Sequence, residues 1–318
     1  MPRRSRGDLE GPHLHPLFRA EAPPFPSMSI LIDKIRAAVE ARAKQEKRRY
    51  YIGASSVGAE CERQCLFNHV HASDDNHSAD TLFRFEDGHR TEDLIAERIR
   101  LVDGVELFTH KPDGSQFGFS ALNGHFRGHI DGVIKGHPEL DEPAIWECKA
   151  TSEKNFRAFK RLKEKRRHED VLLKWNEVYY GQAMLYCHFF DLDYHYLSVA
   201  TPGGRDLDDL ITPANGAYAT SLIDKAKSIL ENPELPPRIS ADPKFFKCTW
   251  CAHHRLCHRE SGDSDPIQYV NQNCRTCKFA EPIMDGEDGG WRCATHNVEL
   301  TEEGQSEGCE LWVNAWLN

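Results

Sequence analysis

Apolar and polar positions along the chain alternate between helical and extended spacing. Ile32, Ile35 and Val39 recur on one helical face after Met28, a candidate natural start, and residues 42–49 continue that helix as a basic stretch. Ser55 or Ser56 is placed to cap a short helix carrying Cys61, Arg63 and Cys65. Residues 80–102 predict a second helix, with Leu94, Ile95 and Ile99 toward a core. Strands are expected at 105–110 and 116–121 around Pro112-Asp113-Gly114, and Asn123-Gly124 marks the next turn. Alternation then runs unbroken from 126 to 134, residues 136–143 are turn-like, and 144–151 is extended again. Further on, 175–190 and 216–231 are helical and 194–201 is a strand, with Asn232-Pro233 and Pro236-Pro237 closing the last helix.

A length of 318 residues accommodates one large domain and a small one. Residues 1–27, with six prolines and four arginines and no periodicity, read as a disordered leader. No apolar run approaches the ~20 residues that span a membrane and no signal-like segment follows the N-terminus, so a soluble, cytoplasmic protein is expected. Eleven cysteines with C-x2-C spacings point to metal rather than disulfides. The net charge of −10 belongs mainly to residues 263–318, which hold 11 acids and 3 bases.

Candidate chemistry centres on residues 128–150. On a strand, Glu147 and Lys149 share one face while Trp146 and Cys148 share the other. Two acids, Asp131 and Glu147, with a lysine on a buried sheet are costly to desolvate unless they bind something; a divalent metal and a phosphate would satisfy all three. The plain alternative is a solvated hairpin with a surface ion pair. By spacing, His125 and His129 fall on the face of Asp131, where His129 could touch metal or DNA or simply be hydrogen-bonded within its strand.

Residues 154–167 carry eight bases and one acid, with Phe156 and Phe159 interleaved. Lys154, Arg157, Lys160, Arg161, Lys165 and Arg166 would bind phosphate independently of sequence, and the aromatics could stack on unpaired bases; an exposed basic helix or loop is the alternative.

Asp131 followed by Glu147-Cys148-Lys149 resembles the PD-(D/E)XK nuclease core, in the RecB-like branch that carries an iron-sulfur cluster, similar to AddB-type and CRISPR-adaptation exonucleases. The flanking motifs extend the likeness over residues 50–260: A-S-S-x-G-x-x-C-x-R from Ala54 to Arg63, G-x-x-x-E ending at Glu92, Q-x-x-x-Y at Gln182 and Tyr186, and C-x2-C-x5-C at Cys248, Cys251 and Cys257. The resemblance implies an α/β fold, a mixed central sheet flanked by helices, with a small C-terminal metal-binding module. It implies catalytic Mg2+ or Mn2+ at Asp131 and Glu147, approached by Glu92, with Lys149, Gln182 and Tyr186 completing the site. His89 stays open for the metal-proximal role, because Thr91 stands where some members place a histidine. It also implies a structural 4Fe-4S cluster on Cys61, Cys248, Cys251 and Cys257, with Cys65 as fallback for Cys61. Zinc is the alternative there, and His253, His254 or His258 could serve as a ligand.

The implied function is metal-dependent DNA cleavage, exonucleolytic, in phage or bacterial recombination or repair. The implied partner is DNA with single-stranded character, and a single-strand annealing protein is a further candidate. Rival readings are a protospacer-trimming nuclease and a non-catalytic DNA-binding module.

In the tail, Cys274, Cys277, Cys293 and Cys309 form C-x2-C-x15-C-x15-C, the donor set of a closed structural zinc site. His296 could replace one ligand, and a second cluster is the alternative. Its acidity would repel DNA, so a partner-binding or capping element is expected. The domains expected are thus 1–27, 28–262 and 263–318.

Overall fold

The computed structural model describes residues 30–74, 77–232, 234–258 and 269–317. The expected leader, Met28 and the boundary at 262/263 lie outside the described residues.

Helix α1 (Ile30–Ala43) comes first, and α2 (Ala54–Val57) and α3 (Glu62–His69) follow strand β1 (Ile52–Gly53). Helix α4 (Ala79–Ile99) begins where Ser78 accepts the Thr81 N–H, a hydroxyl cap that satisfies one of the free amides of the first turn. Strands β2 (Glu106–Phe108), β3 (Gly118–Ala121), β4 (Phe126–His129), β5 (Gly132–Lys135) and β6 (Ala144–Ala150) come next. Helices α5 (Glu153–Lys165), α6 (His168–Trp175) and α7 (Glu177–Phe190) lead to β7 (Tyr194–Ala200) and β8 (Leu207–Pro213), then α8 (Gly216–Glu231). Short helices α9 (Phe246–Thr249) and α10 (His254–Cys257) precede the tail strands β9 (Ala280–Pro282), β10 (Trp291–Cys293) and β11 (Val298–Leu300) and helix α11 (Glu302–Ser306).

The fold is α/β. Its central sheet runs β2-β5-β6-β7-β8, with β6 and β7 parallel and the other pairs antiparallel. A parallel pair requires a long crossover, supplied here by α5, α6 and α7. Ile95 and Ala96 of α4 join Trp146, Cys148 and Ala200 in one buried cluster, while Ile145, Leu197, Val199 and Leu210 join Ala183 and Met184 of α7 and Ala226 of α8 in another. Both faces of β6 are therefore covered.

The alternation at 126–134, expected as one strand, is split between two sheets. β4 pairs with β1 and β3, β5 pairs with β2 and β6, and Ile130-Asp131 lies between them. Gly132 permits the second pairing, because a Cβ there would stand 2.7 Å from the Phe108 carbonyl oxygen.

Helix α1 forms, but it ends at Ala43 instead of continuing through 42–49, and Ile32 and Ile35 are exposed rather than buried. Ion pairs hold it to α4, Arg36 with Asp80 and Arg42 with Glu86, each at 2.9 Å. Residues 269–317 pack onto the preceding chain, with Val270 and Trp291 buried in its larger core cluster. No described helix is long and apolar enough to cross a membrane.

Candidate active site and cysteine clusters

The break between β4 and β5 places Asp131 beside β6, where its Oδ2 accepts the Cys148 backbone N–H at 2.9 Å. Glu147 and Lys149 project from β6 on the side facing α7, and Lys149 Nζ donates to Glu147 Oε1. Gln182 Nε2 donates to the same Glu147 oxygen and to the Tyr186 hydroxyl, each at 3.0 Å. Helix α7 can deliver both groups because Asn176 accepts from the Val178 and Tyr179 amides and fixes the start of the helix ahead of them. Glu92 arrives from α4, within electrostatic reach of Asp131 and Lys149. His89 is exposed on the same helix.

Electrostatics at this junction are those of acids crowded out of water. Burial, then the charge of Asp131, raises Glu147 to about 8, against the pull of Lys149. Glu92 rises to about 7 for the same two reasons, and burial raises Asp131, opposed by Lys149 and the Cys148 N–H. Burial alone would lower Lys149; Glu147 and Asp131 outweigh it and hold the ammonium above its ordinary range. Glu147 Oε2 is buried without a hydrogen-bond partner among the described residues. A buried carboxylate oxygen left unpaired is a costly state that a cation would relieve.

Two residues of this environment were not singled out from the sequence. The Tyr179 ring lies 5.2 Å from Lys149 Nζ, and its position three before Gln182 and seven before Tyr186 is the helical spacing that could have revealed it. His195 of β7 pairs in register with Ile145, two residues before Glu147, and burial takes it down to about 3. Its Nδ1 has no hydrogen-bond partner among the described residues. By contrast, the break after β4 removes His125 from the face of Asp131: it is buried, and its Nε2 lies 3.1 Å from the Ile283 carbonyl oxygen of the tail. His129 is exposed.

Lys154, Arg157, Lys160, Arg161 and Lys165 of α5, with Arg166 beyond its end, are all exposed. Phe156 and Phe159 are not available to stack on bases: both are core residues, because α5 turns that side toward the sheet and the neighbouring helices. Lys163 is spent internally, paired with Asp208 at 2.7 Å and Asp209 at 2.9 Å.

Cys61, Cys248, Cys251 and Cys257 line one cavity of about 560 Å³. Cys65 is not among its lining residues; it is buried, with its thiol 3.7 Å from the Ser56 carbonyl oxygen. Arg63 reaches into the cavity, 3.9 Å from Cys257 Sγ and 2.6 Å from the Pro236 carbonyl oxygen. His253 has both ring nitrogens engaged, at 2.7 Å from Ser73 Oγ and from Asn68 Oδ1, and His254 Nε2 meets the Pro243 carbonyl oxygen at 2.9 Å. His258 Nε2 is buried without a partner among the described residues.

Cys274, Cys277, Cys293 and Cys309 line a second cavity of about 190 Å³, together with His296. Among the described residues no three His, Cys, Asp or Glu side chains are drawn together at the spacing of a closed metal shell; both thiol sets line open cavities instead.

No family model matches the chain, and no curated protein matches it. Several solved structures align with the chain. The crystal structure of SSO0001 aligns at a TM-score of 0.39 and 11% identity over 72% of this chain and 96% of its own. An alkaline exonuclease (LHK-Exo) from Laribacter hongkongensis aligns at 0.39 and 12% identity over 61% and 90%. LHK-Exo in complex with dAMP aligns at 0.37 and 10% identity over 62% and 90%. Likenesses of this extent carry no functional conclusion.

Proposed function

We propose that this protein is a divalent-metal-dependent deoxyribonuclease that hydrolyses phosphodiester bonds from DNA ends, in recombination or repair. The observation that carries the reading is the junction of Asp131, Glu147, Glu92 and Lys149, in which a buried carboxylate oxygen of Glu147 has no partner among the described residues. Magnesium or manganese held by these carboxylates would polarise the phosphate and acidify a bound water.

The remaining roles belong to the chain itself. Lys149, held in its charged form by Glu147 and Asp131, offsets charge developing on the scissile phosphate. Gln182 fixes the Glu147 carboxylate and links it to Tyr186, so the ligand's orientation is set before substrate arrives. The exposed bases of α5 follow directly on β6 and bind the DNA backbone whatever its sequence; with Phe156 and Phe159 buried, no aromatic between them selects unpaired bases.

Cys61, Cys248, Cys251 and Cys257 suit a structural 4Fe-4S cluster as an all-thiol set lining one cavity, with both ring nitrogens of His253 and Nε2 of His254 taken by hydrogen bonds. His258 Nε2, buried without a hydrogen-bond partner among the described residues, is an alternative donor. Such a cluster would staple α3 to the segment at 248–257.

Incubation of end-labelled single- and double-stranded DNA with the purified protein and Mg2+ or Mn2+ tests the reading. Metal-dependent shortening from an end supports it, and intact DNA with either metal rejects it.

A further inference from the structure

Arg275 lies inside the Cys274-Arg275-Thr276-Cys277 knuckle, and only 2% of it is exposed. Its guanidinium leaves the tail and enters the preceding chain. One terminal nitrogen donates to the Tyr50 carbonyl oxygen at 3.1 Å and to Gln305 Oε1 at 3.3 Å, and the other lies 3.0 and 3.1 Å from the two ring nitrogens of His69. The Trp291 ring covers it at 4.8 Å and the Tyr50 ring at 5.6 Å. All these partners are neutral, and a buried guanidinium without an anion is costly. Trp291 packs in turn against His69 and His125, at 5.8 and 6.3 Å.

The two docking residues are bound to the tail thiols by sequence. Arg275 sits between Cys274 and Cys277, and Trp291 shares a strand face with Cys293 two residues later. All four thiols line the cavity of about 190 Å³, with Cys309 Sγ at 3.7 Å from His296 Nε2. The knuckle also docks through its backbone neighbours: Asn271 donates its N–H to the Ala72 carbonyl oxygen at 2.8 Å, and Asn273 donates its side-chain amide to that of His71 at 3.2 Å.

We propose that Cys274, Cys277, Cys293 and Cys309 bind one zinc ion, and that this ion latches residues 269–317 onto residues 50–72 through Arg275 and Trp291. Four thiolates on one Zn2+ carry a net charge of −2, and two of them, Cys274 and Cys277, flank Arg275 in the chain. The ion also ties the knuckle to β10, so the arginine and the indole that covers it are held as a unit. The inference is independent of the proposed nuclease activity.

Metal analysis and hydrogen exchange of the full-length chain test it. Wild type should carry one zinc that Cys309→Ser lacks; Cys309 is exposed, so this change removes a ligand without removing packing. In Cys309→Ser, amides of residues 62–72 should exchange on the order of tenfold faster. Arg275→Ala should keep the zinc and show the same acceleration, separating ligation from docking. If Arg275→Ala gives no soluble protein, Arg275→Gln, which also leaves the four thiols in place while removing the guanidinium, provides the same comparison. Equal zinc in wild type and Cys309→Ser, iron in place of zinc, or unchanged exchange across 62–72 after zinc loss would overturn the proposal.

Discussion

Asp131 Oδ2 accepts the backbone N–H of Cys148 at 2.9 Å, which fastens the junction between two sheets to the strand position flanked by Glu147 and Lys149. A carboxylate thus does the work of a missing ladder partner while keeping its charge near Glu147. Asp131→Asn retains an acceptor for that N–H and should remain folded, yet lose cleavage by orders of magnitude because the charge that binds the metal is gone. Asp131→Ala should lose cleavage and also stability, by about 1–3 kcal/mol for the orphaned amide. Thermal melts of the two variants beside their cleavage rates check this.

Gln182 holds Glu147 by a hydrogen bond at 3.0 Å and is proposed to support a metal ligand without being one. Gln182→Leu, of similar size but without donors, should lower metal affinity or cleavage roughly 10–100-fold while the fold stands. Metal titrations followed by cleavage rate at saturating metal would separate the two effects, and wild-type behaviour in both would remove Gln182 from the site.

Neutralising Lys160, Arg161, Lys165 and Arg166 together should weaken DNA binding and flatten its dependence on salt, by about 0.9 in the logarithmic slope for each phosphate that the protein no longer neutralises. Phe159→Ala should behave differently: its ring is fully buried, so the expected cost is about 3–5 kcal/mol of stability. Fluorescence titrations at several salt concentrations and denaturant melts distinguish the two classes.

The raised carboxylates make a signed prediction about pH. Glu147 titrates near 8 and Glu92 near 7 in the metal-free fold, both above the ordinary value of 4.5 that applies when unfolded. Between about pH 4.5 and 8 these two acids hold more protons in the folded state than in the unfolded one, a contribution to the stability of the metal-free protein that is lost as pH rises through that window, while His195, lowered by burial to about 3, contributes with the opposite sign up to its ordinary value of 6.5. Metal needs the ionised acids, so its stabilising effect should grow over the same interval and its binding should release protons. Melting temperatures with and without Mn2+ from pH 5 to pH 8.5 check the sign; a metal increment that shrinks with rising pH would contradict it.

Much of this arrangement was legible from local signals. Helices α4, α7 and α8 were legible at 80–102, 175–190 and 216–231, whereas the caps that start them, Ser78, Asn176 and Asn215, were not singled out. Gln182 and Tyr186 share a helical face whatever lies opposite. The split at Ile130-Asp131 was not legible, because alternation continues through it and the change of partner is a tertiary choice. Phe156 and Phe159 misled for a related reason: charge marks an exposed face but does not tell whether the aromatics between belong to it. The docking of Arg275 on His69 joins residues 206 apart in the chain, beyond the reach of any periodicity.

The most direct measurement compares cleavage of end-labelled DNA by wild type, Glu147→Ala and Lys149→Ala, each shown to be folded and assayed with Mg2+ or Mn2+. Wild type should cut, and each variant should be slower by on the order of a thousandfold or more, having lost a metal ligand or the charge facing the scissile phosphate. Cleavage by Lys149→Ala at the wild-type rate, or a wild type that cuts equally well in excess chelator, would contradict the assignment of this junction as a metal-dependent nuclease site.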